Sequence, residues 1–359
     1  MSKIKFNNSN PEFFNTLKAR VNAYFEDKSI KETGNYKLYS KTIILAVALV
    51  VSYLWMVFFT PESNLLAILV CIVMGVNVAA IGFNVMHDGA HGSYSSKQWV
   101  NKFMGFSLNV LGGNVYLWSQ KHNINHHSYT NVEGLDDDID IKPFIRVHST
   151  QPRYWFHRFQ QYYSLFLYGL TYLFWVFSND FNKYFSGKIA EHTKMRKMDM
   201  PEHFNFWLSK ILYVGLFIVM PFFFVGIVPT IVGYLVMAFT AGVVISIVFQ
   251  LAHVVEEAEF VTPTSDTMKI ETEWAKHQIN TTVNFATRSK SMSWLLGGLN
   301  FQVEHHLFPR ISHVHYPEIN KIVMATCAEF GVIYKEFPTV FSAIRSHLSH
   351  LKAAGIAAA

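Results

Sequence analysis

The chain has 359 residues, 51% hydrophobic and 16% aromatic, but only 15% are charged. Soluble domains carry about 25% charged residues, so this composition argues against a water-soluble protein and for a membrane one. A net charge of +5 is too mild for a nucleic-acid surface and suits an anionic leaflet. The two cysteines, Cys71 and Cys327, lie far apart and form no CxxC, which excludes a disulfide framework and a thiolate site.

Residues 1–41 are polar and basic, with Lys3, Lys5, Lys18, Arg20, Lys28, Lys31, Lys37 and Lys41. The apolar run begins too late for a signal peptide. Phe13, Leu17, Val21 and Phe25 recur at helical spacing and predict an amphipathic helix on the membrane surface.

Two uncharged runs follow, 42–60 and 65–86. Each is long enough, at about 1.5 Å per residue, to cross a hydrocarbon core of about 30 Å. Their connector, Pro61-Glu62-Ser63-Asn64, holds no lysine or arginine. The positive-inside rule therefore puts the turn outside and the N-terminus in the cytoplasm. His87 then emerges on the cytoplasmic face.

The charge-free stretch 211–252 is too long for one crossing, and Gly226 with Pro229 divides it. Spans of about 207–226 and 229–252 return His253 to the same face. The uncharged run 159–178 would, as a fifth span, put His253 opposite His87. It would also place the basic loop Lys183, Lys188, Lys194, Arg196 and Lys197 outside, against the positive-inside rule. It is expected instead as a cap helix embedded in the cytoplasmic leaflet. The predicted fold is thus an all-α integral membrane protein: four transmembrane helices in two hairpins, with a cytoplasmic helical cap. The membrane domain covers residues 42–352, and the alanine-rich tail 353–359 is expected to be disordered.

Histidine stands out, with 17 residues. His87 and His91 share a helical face at i and i+4, so both imidazoles reach one metal. His122 and His126 repeat the spacing, and the adjacent His127 points about 100° away, toward a second ion. His305 and His306 follow Gln302 on a third segment, and His253 lies at a membrane exit. Eight imidazoles are too many for one tetrahedral zinc and suit two ions. Ligation by nitrogen alone is compatible with iron, zinc or copper.

Metal-bound histidines usually give their second N–H to a carboxylate or carbonyl. Asp88, Glu133, Asp136, Asp137, Asp138, Asp140, Glu256, Glu257 and Glu304 lie close by in sequence. Asp88, Asp137, Asp138, Glu256 and Glu304, with Asn284, are the expected partners. No histidine has a glutamate three residues before it, so the Glu-x-x-His pattern of ferritin-like bundles is absent.

The boxes HxxxH, HxxxHH and QxxHH, in this order around two hairpins, resemble the membrane fatty acid desaturase superfamily. The resemblance runs from about residue 41 to 337. Gln302 at the head of the third box, and the run from Trp274 to Asn284, resemble the front-end (delta-5/delta-6-type) acyl desaturases. The HPGG haem motif of their fused cytochrome b5 domain does not occur. The resemblance therefore implies a separate electron donor, cytochrome b5 or a ferredoxin with its reductase. It also implies that the eight histidines bind two iron ions, with zinc as an occupant after purification. Gln302 would be a weak ligand, bind through water, or orient a neighbouring ligand.

The implied activity is oxygen-dependent introduction of a cis double bond into a fatty acyl chain carried by CoA, a carrier protein or a lipid. The setting would be a bacterial inner membrane or the endoplasmic reticulum, with no nucleic acid involved. Two rivals share the ligand set. A di-iron hydroxylase or ketolase would add oxygen to a lipid, carotenoid or alkane. A zinc-dependent membrane lipid hydrolase, or a metal-binding membrane protein without catalysis, would consume no dioxygen and need no reductant.

Overall fold

The structure is a computed structural model describing residues 5–8, 11–139, 141–190, 193–262 and 269–357. Lys3, Asp140 and Ala358–Ala359 fall outside the described residues. Four helices are long and apolar enough to cross a membrane: Tyr36–Phe58, Asn64–His91, Met200–Val225 and Ile227–His253. They pair as two hairpins, with tight turns at residues 59–63 and at Gly226. Gly226 takes a φ of +85° there, a conformation open to glycine. The first and third spans turn most of their apolar side chains outward, among them Ile43, Val47, Val50, Leu54, Ile211 and Phe223. An apolar exterior of that extent needs lipid rather than water.

The first span begins before the charge-free run, and Lys41 lies inside it, buried. Its ammonium is satisfied there: it donates to Asn84 Oδ1 at 2.7 Å and lies 3.0 Å from His313 Nε2. A buried cation is tolerated when partnered, so charge alone misplaced this boundary.

The second span contains a wide turn, Gly82–Met86, closed by the His87 N–H on the Gly82 carbonyl. Such i→i+5 turns are frequent at functional sites. A second one, Gln120–His126, continues the short helix Val115–Ser119 and carries the second histidine box.

A helix occupies the run expected as the cap. It runs Gln160–Phe174, passes through a wide turn at Trp175–Asn179 and ends as Asp180–Ser186. It crosses the fourth span, where Thr171 Oγ1 lies 2.7 Å from Ser246 Oγ. A Cβ on Gly242 would sit 2.5 Å from the Gly169 carbonyl oxygen, so the backbones touch. Gly242→Ala is expected to cost about 1–3 kcal/mol by forcing them apart. The check is the thermal midpoint in detergent; an unchanged midpoint would mean the crossing yields freely.

Two expectations are corrected. The N-terminal helix Glu12–Asp27 does not offer its apolar face to a membrane. Phe13, Leu17, Val21 and Phe25 are buried with Ile279, Phe301, Val303, Leu307, Val323 and Cys327, because the C-terminal segments supply a matching apolar surface. The tail is also not disordered through 353–357. The helix Val340–Ile356 continues through it, and the buried Arg146 guanidinium donates to the carbonyls of Ala354 (2.6 Å) and Ala357 (2.9 Å).

Candidate metal centre

The two wide turns, the end of the fourth span and the short helix Gln302–Leu307 converge at one end of the hairpins. They bring seven of the eight predicted histidines into two groups. His87, His91, His122 and His305 form one; His126, His253 and His306 form the other. His127 belongs to neither. It stands between them, its ring 4.8 Å from His91, 4.6 Å from His305 and 4.5 Å from His306.

The second box is divided between the two all-histidine groups. His122 and His126 fall on opposite sides of that division, yet with Asp138 they also form a third group that could hold an ion, as their spacing predicts. The reason for the division is local: the His127 N–H reaches the His122 carbonyl, a wide turn in which strict α-helical spacing does not apply. The first box, one turn of ordinary helix, keeps His87 and His91 together as its spacing predicts.

Five of these imidazoles, those of His122, His126, His253, His305 and His306, meet a partner through Nδ1. His122 Nδ1 donates to Asp138 (2.9 Å) and His126 Nδ1 to Asp136 (2.9 Å); a carboxylate can only accept, so Nδ1 carries the proton. His305 Nδ1 lies 3.2 Å from the Tyr316 hydroxyl, and His306 Nδ1 lies 2.8 Å from Gln278 Oε1. His253 Nδ1 points at the Thr281 carbonyl, 3.4 Å away.

This leaves the Nε2 atoms of His91, His126, His253, His305 and His306 buried without a hydrogen-bond partner. An unsatisfied buried polar atom costs about 1–3 kcal/mol, and five together would rival the whole stability of a typical domain. Converging lone pairs of this kind fit a bound cation.

The electrostatics agree. Burial, reinforced by neighbouring imidazoles, holds His127, His305 and His306 well below the ordinary histidine value. They are neutral, the form that ligates. Burial also lowers His122, despite Asp138. At His126 burial pulls downward, but the Asp136 carboxylate outweighs it and the net shift is upward.

The other predicted partners divide. Asp138 acts as expected, and Asp136, its neighbour but one, does the same for the second group. Asp137 does not. Asp137 turns instead to Lys183 (3.1 Å) and Lys121 (3.8 Å). Glu256 is exposed, beyond the end of the fourth span, and Glu257 accepts from Ser346 (2.6 Å). Glu133 faces His148 instead, at 3.5 Å.

Asp88 is buried and holds no box histidine. It accepts from Ser312 Oγ (2.6 Å) and lies 3.0 Å from His313 Nδ1, tying the first box to the segment after the third. Glu304 accepts from Asn284 (2.7 Å), Asn320 (3.1 Å) and Tyr334 (3.1 Å). Burial still pushes its carboxyl up to about 6. Asn284 Oδ1 in turn accepts from the Val303 N–H at 2.9 Å, so this pair anchors the helix that bears His305 and His306. Gln302 is buried beside them.

Sequence reasoning missed Trp118, Gln278, Thr281 and Tyr316. Trp118 stacks on His122, with centroids 4.4 Å apart and planes at 24°. Its place four residues before that histidine was the only available signal.

Four apolar helices and buried histidine groups compatible with metal define a multi-span membrane protein built around a nitrogen-rich centre. A family model described as fatty acid desaturase matches residues 63–338. The chain is 38% identical to the sn-1 linoleoyl-lipid 6-desaturase of Arthrospira platensis, over 98% of this chain and 94% of that one. It is 36% identical to the enzyme of the same description from Synechocystis sp., over 98% of each. It is also 36% identical to the acyl-lipid (8-3)-desaturase of Physcomitrium patens, over 97% of this chain and 72% of that one. The chain belongs to the fatty acid desaturase family and is an oxidoreductase.

Proposed function

We propose that this protein is an oxygen-dependent acyl-lipid desaturase whose two histidine groups each hold one iron ion. The observation that carries this reading is the set of five buried, partnerless Nε2 atoms converging from three boxes and the fourth span. His87, His91, His122 and His305 would hold one ion and His126, His253 and His306 the other, with His127 between and Gln302 beside them.

Bound there, the iron pair would supply the oxidising power, using dioxygen and two electrons from an external donor to remove two hydrogens from adjacent methylenes. The protein's own part is positioning and exclusion. Asp138 and Asp136 keep the His122 and His126 protons on Nδ1, fixing ring direction. Glu304, Asn284, Asn320 and Tyr334 hold the third box rigid, and a reacting C–C bond gains rate from being held in one place. The surrounding apolar walls keep water out.

The lysine-rich N-terminus puts the centre on the cytoplasmic face. There the cap helix, with Leu165, Phe166 and Phe174 exposed, lies in the cytoplasmic leaflet. Electrons would come from a donor such as cytochrome b5 or ferredoxin with its reductase. The acyl-lipid substrate follows from the names of the relatives above.

Expression in a host lacking polyunsaturated fats, with lipid profiling by double-bond position, tests the reading. The expected product is lighter than its precursor by two hydrogens, formed only in air. A product carrying added oxygen would instead assign the hydroxylase chemistry.

A further inference from the structure

One short helix, Trp274–Thr281, meets His253 and His306 of the second group directly and reaches His126 through Thr130. Its Thr281 carbonyl faces His253 Nδ1. Its His277 Nε2 donates to the Thr130 carbonyl at 2.9 Å, one turn beyond His126. Its Gln278, wholly buried, sets Oε1 2.8 Å from His306 Nδ1 and 2.9 Å from Thr130 Oγ1. The Thr130 hydroxyl also lies 2.7 Å from the His126 carbonyl and 3.2 Å from His306 Nδ1.

The orientation of the Gln278 amide decides what His306 can do. An amide oxygen only accepts, so Oε1 at 2.8 Å requires the proton of His306 on Nδ1. That leaves the Nε2 lone pair bare toward His126 and His253. The reverse amide would present N–H to Nδ1, drive the proton onto Nε2 and close the group to any cation. His126 has a carboxylate for this purpose; His306 has Gln278 as its nearer partner, with the Thr130 hydroxyl farther off at 3.2 Å and its proton directed to the His126 carbonyl or to Gln278. The Gln278 Nε2 atom is itself buried without a partner, so the amide donates nothing in this arrangement and acts through its oxygen alone.

We infer that Gln278 is a positioning residue for the second metal: its Oε1 locks the His306 tautomer, and the helix Trp274–Thr281 organises that group. The inference rests on the two-ion reading above. It requires an acceptor at residue 278, not an amide.

The test is metal content per chain after dialysis against a chelator, measured by elemental analysis on iron-loaded, full-length protein in detergent. Gln278→Met removes the acceptor at similar volume and is expected to weaken the second ion about 10–100-fold, leaving about one ion per chain. Gln278→Glu keeps an acceptor and is expected to hold both. Thr282→Val is the structural control. It removes the Thr282 hydroxyl bond to the Gln278 carbonyl (2.6 Å) in the same buried turn, and both ions should stay. If Gln278→Met proves insoluble, Gln278→Leu takes its place, since it also removes the acceptor with an apolar side chain of similar size. Gln278→Met retaining both ions, or Gln278→Glu losing one, overturns the inference. Wild-type protein that never exceeds one ion overturns the two-ion reading itself.

Discussion

Replacing His305 or His126 with alanine is expected to abolish desaturation while the protein still inserts and folds. The two residues probe different groups. His305 belongs with His87, His91 and His122; His126 belongs with His253 and His306. Loss of an outer hydrogen-bond partner of a metal ligand typically costs about 10–100-fold, and loss of the ligand itself should exceed that. Each group offers few nitrogens, so removing one of three or four leaves an ion too few donors to stay. Stability should suffer less than the burial suggests, because each mutation also removes an orphaned Nε2. Product formation in membranes, normalised to protein level, is the measurement. Activity of either variant within tenfold of wild type would refute its role as a ligand. A loss at His305 but not His126 would mean that a single ion suffices.

Much of this arrangement could be read from the chain because its signals are physical constraints. Long uncharged runs have few uses outside a membrane, and four helices long and apolar enough to cross one lie over the four predicted spans. The largest shift was at Met200–Val225, where helix begins about three turns before the charge-free run. The histidines were legible because imidazoles in apolar stretches demand partners.

The sharing of ligands was not legible. It depends on two wide turns, Gly82–Met86 and Gln120–His126, and no residue pattern announces an i→i+5 bond. Nor was it evident that Asp136 and Asp138 face inward while Asp137 faces Lys183. That depends on the path of an irregular segment, in which the Asp138 N–H turns back onto the Asp136 carboxylate (3.0 Å), and only the fold fixes it. Gln278, in a polar run of ordinary appearance, carried no charge or spacing to mark it. The amphipathic N-terminal helix misled for a further reason. Its periodicity shows that a face is buried, but a membrane and a protein surface leave the same trace.

Removing Asp180 should destabilise the protein far more than removing Glu329, although both pair with a cation at nearly equal distance. Arg20 reaches Glu329 at 2.6 Å, but the two side chains remain 39% and 54% exposed. Pairs of that kind are worth about 0–1 kcal/mol. Lys210 reaches Asp180 at 2.7 Å with side chains only 7% and 3% exposed. Its ammonium also donates to the carbonyls of Gly112 (2.6 Å) and Val176 (3.0 Å), so all three protons are used. Asp180→Ala strands that charge at the junction of the cap helix and the third span, at a cost of about 3–5 kcal/mol. Glu329→Ala should leave the thermal midpoint in detergent almost unchanged, whereas Asp180→Ala should lower it severely.

The double variant Asp180→Leu with Lys210→Met separates two explanations. An apolar pair of similar volume can match a buried ion pair, so much of the loss should return. Recovery should stop short of wild type, because the Gly112 and Val176 carbonyls lose their donor and each unpaired group costs about 1–3 kcal/mol. Equal, small effects for Asp180→Ala and Glu329→Ala would mean that water reaches Lys210, and the end of the cap helix would then lie at the membrane surface rather than within the leaflet.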